Sequence, residues 1–560
     1  MLNVILNIWY IKVCYINNLE GKLWVVFKAK DSFLKGAFIL GMAGILVKVM
    51  GAFFRIPLGN LIGAEGMAYY QAAYPVYTLF LTLATAGFPT ALAKLVSEKN
   101  AIGDHKGAHK IFKVSYTVLF MTGILAFLVF FFGADYIVNN IMNNPGAKSA
   151  MLAIAPALIF VPLMSSYRGY FQGNRDMNKI AISQIAEQFF RVILGIGLAY
   201  FLMEGYGPEL GAAGAIMGAT IGAVASILYL IFAYIKGSKQ RKIDIKNSKH
   251  FRDESVMTVL KKLLVVAIPI TIGASVMPLV NMIDNVIVID RLMVAGYTHT
   301  QALKMFGQLT GMAMSIVNLP SVITVAMSMS LVPAISEAFA LGNKVKARKD
   351  TKSAIKVTLL IVLPCAFGMA SLATPIMQLL YPKEPTTVGT ILLFLTPCVV
   401  LLGLIQSMNG ILQGMGKPMI PVIALVVGMI SKIVISYTLT AIPSINVLGS
   451  AIGTVSAYFI AVLIELACIK KAMGVKFPIK EFIIRPLITV ITMFIAVKLS
   501  YAFIAGLIGG KLATLISIAI GGVVYGLVLI GIGGIKKEEI LTMPKGNKIY
   551  TVLRKLKLMK

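Results

Sequence analysis

The stretch Thr387–Leu412, TVGTILLFLTPCVVLLGLIQSMNGIL, runs for 26 residues without one charged side chain. As an α-helix it would be about 39 Å long, which exceeds the roughly 30 Å hydrocarbon thickness of a bilayer. Only a helix satisfies all the backbone hydrogen bonds of such a segment within lipid. This stretch therefore predicts a transmembrane helix.

Similar apolar runs recur along the whole chain. Hydrophobic residues make up 58% of the sequence and charged residues 13%, against about 45–50% and 25% in soluble domains. We therefore predict an all-α integral membrane protein of about fourteen transmembrane helices. The thirteen further predicted spans are 34–57, 68–92, 112–134, 149–172, 180–203, 212–236, 263–290, 307–333, 356–381, 419–441, 449–470, 486–508 and 512–535.

The positive charges are confined to alternate connections between these spans. Lys and Arg crowd the segments 94–113, 236–262 and 344–356, whereas 204–211 and 442–449 contain neither. This distribution follows the positive-inside rule and predicts a multi-pass protein of the bacterial plasma membrane with both termini in the cytoplasm. It also accounts for the net charge of +30 without nucleic acid, which would require a basic patch on a polar module.

The sequence repeats itself across six spans. Val96-Ser97-Glu98 returns as Ile335-Ser336-Glu337, and Gly169-Tyr-Phe-Gln-Gly173 returns as Gly410-Ile-Leu-Gln-Gly414. An even number of spans between the copies predicts two lobes that point the same way. We predict a cytoplasmic segment 1–33, a six-helix lobe 34–236, a basic linker 237–262, a second six-helix lobe 263–473, two extra helices in 486–535 and a basic tail 536–560.

Charges inside membrane spans are costly and usually functional, and four basic residues within the predicted spans are candidates for a binding site. We expect Lys48, Arg55, Arg191 and Lys432 to bind a substrate that carries phosphate or pyrophosphate, because their summed charge is positive. Two alternatives stay open: Glu187 and Arg191 are spaced as a helical ion pair, and Arg55 reaches the interface. Lys48 and Lys432 have no acid one turn away.

Two acids within spans are candidates for coupling transport to an ion gradient. Asp284 lies near Asn281 and Asn285, and an acid with amide neighbours suits Na⁺ or a proton; Glu187 is the second candidate. The alternative for Asp284 is a carboxylate satisfied by a neighbouring helix. We expect no cofactor and no enzyme activity, because the chain lacks HExxH and GxSxG motifs and any Cys/His pair that would bind a metal.

Two expectations concern side chains at the membrane boundaries. Arg168, near the inner end of its span, is expected to extend to the headgroups. A group of tyrosines opens the second span and is expected to form an aromatic belt, with stacking on a sugar as the alternative. The group comprises Tyr69, Tyr70, Tyr74 and Tyr77.

Several motifs resemble one known family. They are Lys30-Asp-Ser-Phe-Leu-Lys-Gly36, Arg55-Ile-Pro-Leu58, Leu61-Ile-Gly-Ala-Glu-Gly66, Tyr70-Gln71, Ala73-Tyr-Pro75, Ala86-Gly-Phe-Pro89, Leu95-Val-Ser-Glu98 and Arg168-Gly-Tyr-Phe-Gln-Gly173. Together with span number and loop charge, they resemble the stage V sporulation protein B / YtgP group, from residue 30 onwards. That group belongs to the multidrug/oligosaccharidyl-lipid/polysaccharide exporter superfamily.

The resemblance implies a flippase for undecaprenyl-pyrophosphate-linked saccharides, with lipid II or a polysaccharide precursor as cargo. MurJ-like members hold the pyrophosphate with cavity arginines, a role that Arg55, with Lys48, matches here. The second span lacks a basic residue at mid-membrane, which departs from that pattern. Expected partners are the lipid-linked oligosaccharide and membrane lipids. We expect no nucleic-acid partner, and we expect the protein to be a monomer. The alternatives are a cation-coupled multidrug antiporter and a non-transporting scaffold for wall or spore-coat assembly.

Overall fold

The computed structural model describes residues 32–248 and 254–534, which are helical throughout apart from short connections. The α-helices of the first half are α1 Ser32–Thr85, α2 Phe88–Ala101, α3 His105–Tyr136, α4 Lys148–Ile154, α5 Ala157–Gly173, α6 Met177–Tyr206, α7 Pro208–Lys236 and α8 Ser238–Lys246. Those of the second half are α9 Val256–Val294, α10 His299–Phe306, α11 Met314–Val317, α12 Ser321–Ala340, α13 Lys344–Ser371, α14 Ala373–Leu380, α15 Pro385–Gly414, α16 Met419–Leu439, α17 Leu448–Met473, α18 Arg485–Ile508 and α19 Gly510–Gly531.

The number of membrane crossings agrees with the sequence prediction. Thirteen helical segments of the described residues are long and apolar enough to cross a bilayer, and the first, Ile39–Ala101, has 63 residues. A helix of that length measures about 95 Å, enough for two crossings. Gly63, with φ 68° and ψ −176°, divides it where the chain must turn back. An all-α membrane fold of about fourteen spans is confirmed.

Three predicted boundaries differ from the structure. The span predicted at 307–333 is broken: a π-helix, Gly307–Ala313, precedes α11, and the chain resumes as α12 after Pro320. Pro320 removes a backbone donor, which explains the break. The segments predicted as loops at 237–262 and 344–356 are largely helical, because α8, α9 and α13 extend beyond the apolar runs.

The internal repeat is visible in the packing of the two halves. In both, the equivalent helices meet: α2 packs on α5 as α12 packs on α15, and α6 packs on α7 as α16 packs on α17. A Cβ at Gly173 would lie 2.7 Å from that of Val96, and a Cβ at Gly414 would lie 2.8 Å from that of Ile335. The repeated glycines therefore permit the same close helix contact in each lobe. Following the repeat, we call helices α1–α7 the first lobe and helices α9–α17 the second lobe.

The two lobes meet along a seam that is closed at the end marked by Gly63. There, the Asn60 side chain donates to the Leu380 carbonyl over 2.6 Å, and the Gln71 side chain donates to the Thr310 carbonyl over 2.6 Å. We call this end of the bundle the Gly63 end. The opposite end, which carries the Lys- and Arg-rich connections, is the basic end.

Helices α18 and α19 pack against each other and against α13, outside the second lobe. The predicted segment 1–33 and tail 536–560 lie almost entirely outside the described residues, as do positions 249–253 of the predicted linker.

Candidate functional site

Lys48 and Arg55 share the face of α1 that points away from lipid. The exposed apolar residues Met42, Leu46 and Phe53 mark the lipid face, and at helical spacing both basic residues fall on the opposite side. Arg55 reaches the second lobe, where its Nη1 donates to Ser315 Oγ over 3.2 Å. Lys48 is exposed on this inner face, two turns nearer the basic end. We call the space along the inner face of α1 the hollow.

The hollow remains open beside the basic half of α1. A Cβ built at Gly41 or Gly44 would meet no heavy atom of the described residues within 4 Å. The same helix is tightly packed at Gly59, where a Cβ would clash with the Tyr381 ring of the second lobe. The hollow is therefore closed at the Gly63 end and has free volume towards the basic end.

Arg191 approaches the first lobe's interior from α6. The exposed side chains of Ile182, Phe189 and Ile193 define the lipid face of α6, and Arg191 lies opposite them. Its Nη2 donates to the Tyr70 hydroxyl over 3.2 Å, and its guanidinium lies 5.0 Å from the centre of the Tyr74 ring. This combination of a hydrogen bond and a cation–π contact fixes the plane of the guanidinium.

Charges of both signs act on one tyrosine of this group. The Tyr74 hydroxyl is within electrostatic reach of Arg191, Arg55 and Glu187, and the Tyr70 and Tyr74 rings stack with 6.0 Å between centroids. Among the described residues, no carboxylate lies within ion-pair distance of Lys48, Arg55 or Arg191. Arg191 is thus left without an acidic partner beside the Tyr70–Tyr74 pair, while Arg55 and Lys48 follow along the inner face of α1; we call these three residues the cationic cluster.

The expected helical pair of Glu187 and Arg191 does not form. Glu187 instead binds Arg168 of α5, with 2.8 Å between Oε2 and Nη2, and Arg168 also donates to Ser183 and Ser226. Its side chain is 17% exposed, so the expectation that Arg168 extends to the headgroups was wrong. Because Arg168 neutralises Glu187, Arg191 keeps its full charge for another partner.

Lys432 does not line the hollow. It is 3% exposed, and its Nζ lies 2.7 Å from Asp284 Oδ2, while Ser450 donates to the other carboxylate oxygen over 2.9 Å. The expectation of a free cation at Lys432 was wrong, because its partner comes from α9, 148 residues away. The ammonium also occupies the position beside Asp284 where a coupling cation was expected. Asn285 faces elsewhere and donates to the Ala72 carbonyl over 3.1 Å.

The tyrosines that open the second span are not a belt exposed to lipid. Tyr70 is 2% exposed, Tyr69 6% and Tyr77 5%, and the Tyr69 hydroxyl donates to Glu65 over 3.1 Å. Sequence reasoning therefore missed that Tyr70 and Tyr74 position Arg191. The three-to-four-residue spacing of Tyr70, Tyr74 and Tyr77, which places them on one helical face, was the available signal.

At the basic end, an ionic group joins the lobes. Lys99 Nζ lies 2.8 Å from Asp104 and 2.9 Å from Glu254, and Glu254 lies 2.7 Å from Lys262 Nζ. Hydrogen bonds from Lys262 and from Lys99 lower the pKa of Glu254 below its ordinary value. Since Glu254 lies two residues before the start of α9 and Lys99 lies in the last turn of α2, this group connects the second lobe to the first.

The structure has two helical lobes of the same orientation around a hollow that carries ionisable side chains. This arrangement is typical of membrane transporters in which two lobes rock against each other around a single binding site. The comparisons with known proteins identify the family. The model of the polysaccharide biosynthesis protein family matches residues 33–339, and a MatE model matches residues 269–438. The chain belongs to the polysaccharide biosynthesis protein family and is a multi-pass membrane transporter or flippase, not an enzyme.

Curated relatives extend over most of the chain. Stage V sporulation protein B of Bacillus subtilis (strain 168) is 30% identical over 84% of this chain and 89% of that protein. The lipid II flippase MurJ of the same organism is 28% identical over 84% of this chain and 88% of that protein.

Solved structures show the same fold. The inward closed conformation of lipid II flippase MurJ superposes with a TM-score of 0.66 at 20% identity, covering 88% of this chain and 98% of that chain. An inward-facing multidrug resistance MATE family transporter of the MOP superfamily gives a TM-score of 0.64 at 17% identity, covering 78% of this chain and 98% of that chain.

Proposed function

We propose that this protein flips undecaprenyl-pyrophosphate-linked saccharides, such as lipid II or a polysaccharide precursor, across the cytoplasmic membrane. The observation that carries the proposal is the cationic cluster of Lys48, Arg55 and Arg191, which has no acidic partner among the described residues. Uncompensated charges at membrane depth are costly. An anionic headgroup bound in the hollow would remove that cost.

The chemistry of the cluster suits a diphosphate. A guanidinium donates two parallel hydrogen bonds to phosphate oxygens, and an ammonium adds a point charge. Arg55 and Arg191 approach from different helices, α1 and α6, so their donors can engage different phosphate oxygens. The stacked rings of Tyr70 and Tyr74 offer an aromatic surface next to the charges.

The name of a curated relative supports the same cargo class. MurJ of Bacillus subtilis is named a lipid II flippase, and stage V sporulation protein B extends the relationship to sporulation. In the proposed cycle, with both termini in the cytoplasm, the precursor enters from the basic end and leaves from the Gly63 end, while its polyprenyl chain stays in lipid. Neither a cofactor nor a second subunit is needed for this cycle.

The multidrug antiporter alternative predicts a hollow dominated by carboxylates. Instead, Glu187 is paired with Arg168 and Asp284 with Lys432, so the two candidate acids do not present free charge. A cationic drug would be repelled by the cationic cluster.

The test is translocation of fluorescent lipid II in vesicles that contain the full-length chain. The triple variant Lys48→Gln, Arg55→Gln and Arg191→Gln is expected to insert normally but to leave the precursor in the leaflet of addition. The control removes the same charge from three exposed lysines, Lys239, Lys349 and Lys511.

Translocation by the cluster variant at the control's rate would reject the flippase proposal. It would favour a membrane scaffold, which tolerates loss of these charges. Loss of translocation in the control as well would also count against it, because the effect would then follow total charge rather than the hollow.

A further inference from the structure

One buried acid inside the second lobe has no hydrogen-bond partner among the described residues. Glu465 lies on α17 and is 0% exposed, and neither carboxylate oxygen has a hydrogen-bond partner. Its helix packs against α15 and α16, both of which are apolar along most of their length. The carboxyl group is therefore enclosed by protein at membrane depth.

The surroundings of Glu465 differ from those of the other acids singled out within spans. Asp284 is bound to Lys432 and Ser450, and Glu187 is bound to Arg168. An ionised carboxylate that is buried without a cation or a hydrogen-bond donor costs far more free energy than a neutral carboxylic acid. Glu465 must therefore hold a proton in this arrangement of the lobe.

No neighbouring charge offsets that conclusion. The ionisable groups on the helices that contact α17 are Lys261, Lys262, Asp284, Asp290, Arg291, Lys344, Lys346, Arg348, Lys349, Asp350, Lys352, Lys356, Cys365, Cys398, Lys432 and Tyr437, and those on α17 itself are Tyr458, Cys468, Lys470 and Lys471. Within the described chain, none of them is hydrogen-bonded to Glu465.

A polar stripe on α17 connects this acid to the Asp284–Lys432 pair. Ser450, Thr454, Tyr458 and Glu465 recur at helical spacing on one side of α17, and each is buried. The Tyr458 hydroxyl is within electrostatic reach of Asp284. Glu465 lies eight residues before the end of α17, or about 12 Å from the basic end. Water from that end would have the shorter path to the carboxyl group.

We propose that Glu465 is a proton-binding site of the second lobe, neutral in this conformation and ionised when the lobe rearranges. On release, the O–H bond of the carboxylic acid breaks, its electron pair stays on the carboxylate, and the proton passes to water at the basic end. Proton binding would thereby favour the conformation with α17 closed on α15 and α16. This site depends on the second lobe alone and not on the identity of the cargo.

Infrared spectroscopy of the full-length chain in lipid tests the protonation directly. At neutral pH, the wild-type protein is expected to show the C=O stretch of a buried protonated carboxyl group. Glu465→Gln is expected to lose this band, and Glu465→Asp to shift it. The exposed acid Glu204 provides the matched control, because Glu204→Gln is expected to leave the band unchanged. Persistence of the band in Glu465→Gln would overturn the assignment.

The conformational role is tested without cargo. Spin labels on α15 and α17 report the separation of these two helices in vesicles as the pH is raised, and the wild-type distance distribution is expected to change. Glu465→Gln, a neutral mimic of the protonated acid, is expected to hold the low-pH distribution throughout. A pH response of Glu465→Gln equal to that of the wild type would reject the proposed role. An unfolded Glu465→Gln protein would reject it as well, because a site that holds a neutral carboxylic acid should also accept the neutral amide. Both measurements can fail while lipid II translocation succeeds.

Discussion

Substitution of Arg191 by Gln separates binding from folding in the cationic cluster. In the structure Arg191 donates to Tyr70 over 3.2 Å and contacts the Tyr74 ring, but it neutralises no described acid. Arg191→Gln therefore leaves no buried charge without its partner. We expect the variant to keep nearly its full stability and to lose affinity for a diphosphate.

The size of the loss follows from the bonds that an arginine forms with phosphate. A hydrogen bond to a charged group contributes about 1.5–3 kcal/mol, and Arg191 is only partly buried, so solvent screens part of the attraction. We expect a loss of about 3 kcal/mol, or roughly 100-fold in Kd. Arg191→Lys retains the charge but not the planar fork or the ring contact, and we expect a loss of about 1.4 kcal/mol, or roughly tenfold.

The assay measures binding of undecaprenyl pyrophosphate to the full-length chain in nanodiscs, with undecaprenol as the uncharged comparison. Arg168→Gln is the control variant, because it removes one guanidinium of the same lobe but leaves Glu187 unpaired. We expect Arg168→Gln to lower the unfolding free energy by about 2 kcal/mol, between the values for exposed and buried ion pairs. Equal affinities of wild type and Arg191→Gln, or equal losses for undecaprenol, would refute the role of Arg191.

Three further predictions concern stability, each measured by unfolding in detergent. Asp284→Asn should lower the unfolding free energy by about 3–5 kcal/mol, because it leaves the buried Lys432 without its partner, and adding Lys432→Met should recover most of this loss. If the losses of the two single variants simply add in the double variant, the pairing of these residues is contradicted. Gly173→Val and Gly414→Val should each lower the unfolding free energy by about 1–3 kcal/mol, because both glycines permit equivalent close helix contacts. A variant of either glycine with unchanged stability would contradict the equivalence of the two contacts. Because the pKa of Glu254 is lowered in the folded protein, its ion pairs stabilise the protein fully at pH values above the ordinary glutamate pKa of about 4.3. This stabilisation is lost as the pH falls through the lowered pKa of Glu254. Glu254→Gln should therefore remove this dependence of the unfolding free energy on acid pH.

The fold was predictable because membrane helices are set by the length of apolar runs. The stretch 387–412 lies within α15, and the repeated glycines at 173 and 414 mark equivalent contacts. The boundaries were less predictable, since apolarity ends before a helix does. Thus α13 begins at Lys344, twelve residues before the predicted span, because a helix remains stable in water once its apolar turns are anchored.

The site was predictable only as far as single helices determine it. A charge within a span can be recognised from sequence, which identified Arg55 and Arg191. The partner of that charge on another helix cannot be recognised from sequence. The pairing of Lys432 with Asp284 was therefore not predictable, because the two residues are 148 positions apart in the chain. Glu465 is different: it lies in the predicted span 449–470, so the rule that a charge within a span is usually functional also applies to it from the sequence alone.

The two lobes use the same repeat position in opposite ways. Arg191 and Lys432 are 241 residues apart, which is also the spacing of Gly173 and Gly414, so they occupy equivalent places on α6 and α16. In the second lobe, Lys432 is buried in an ion pair with Asp284. This pair joins α16 to α9, but its charges cancel, so it cannot attract an anionic substrate. In the first lobe the cation faces Tyr74 without an acid. An anionic cargo should therefore bind the first lobe's wall of the hollow, while the second lobe responds through its own internal groups.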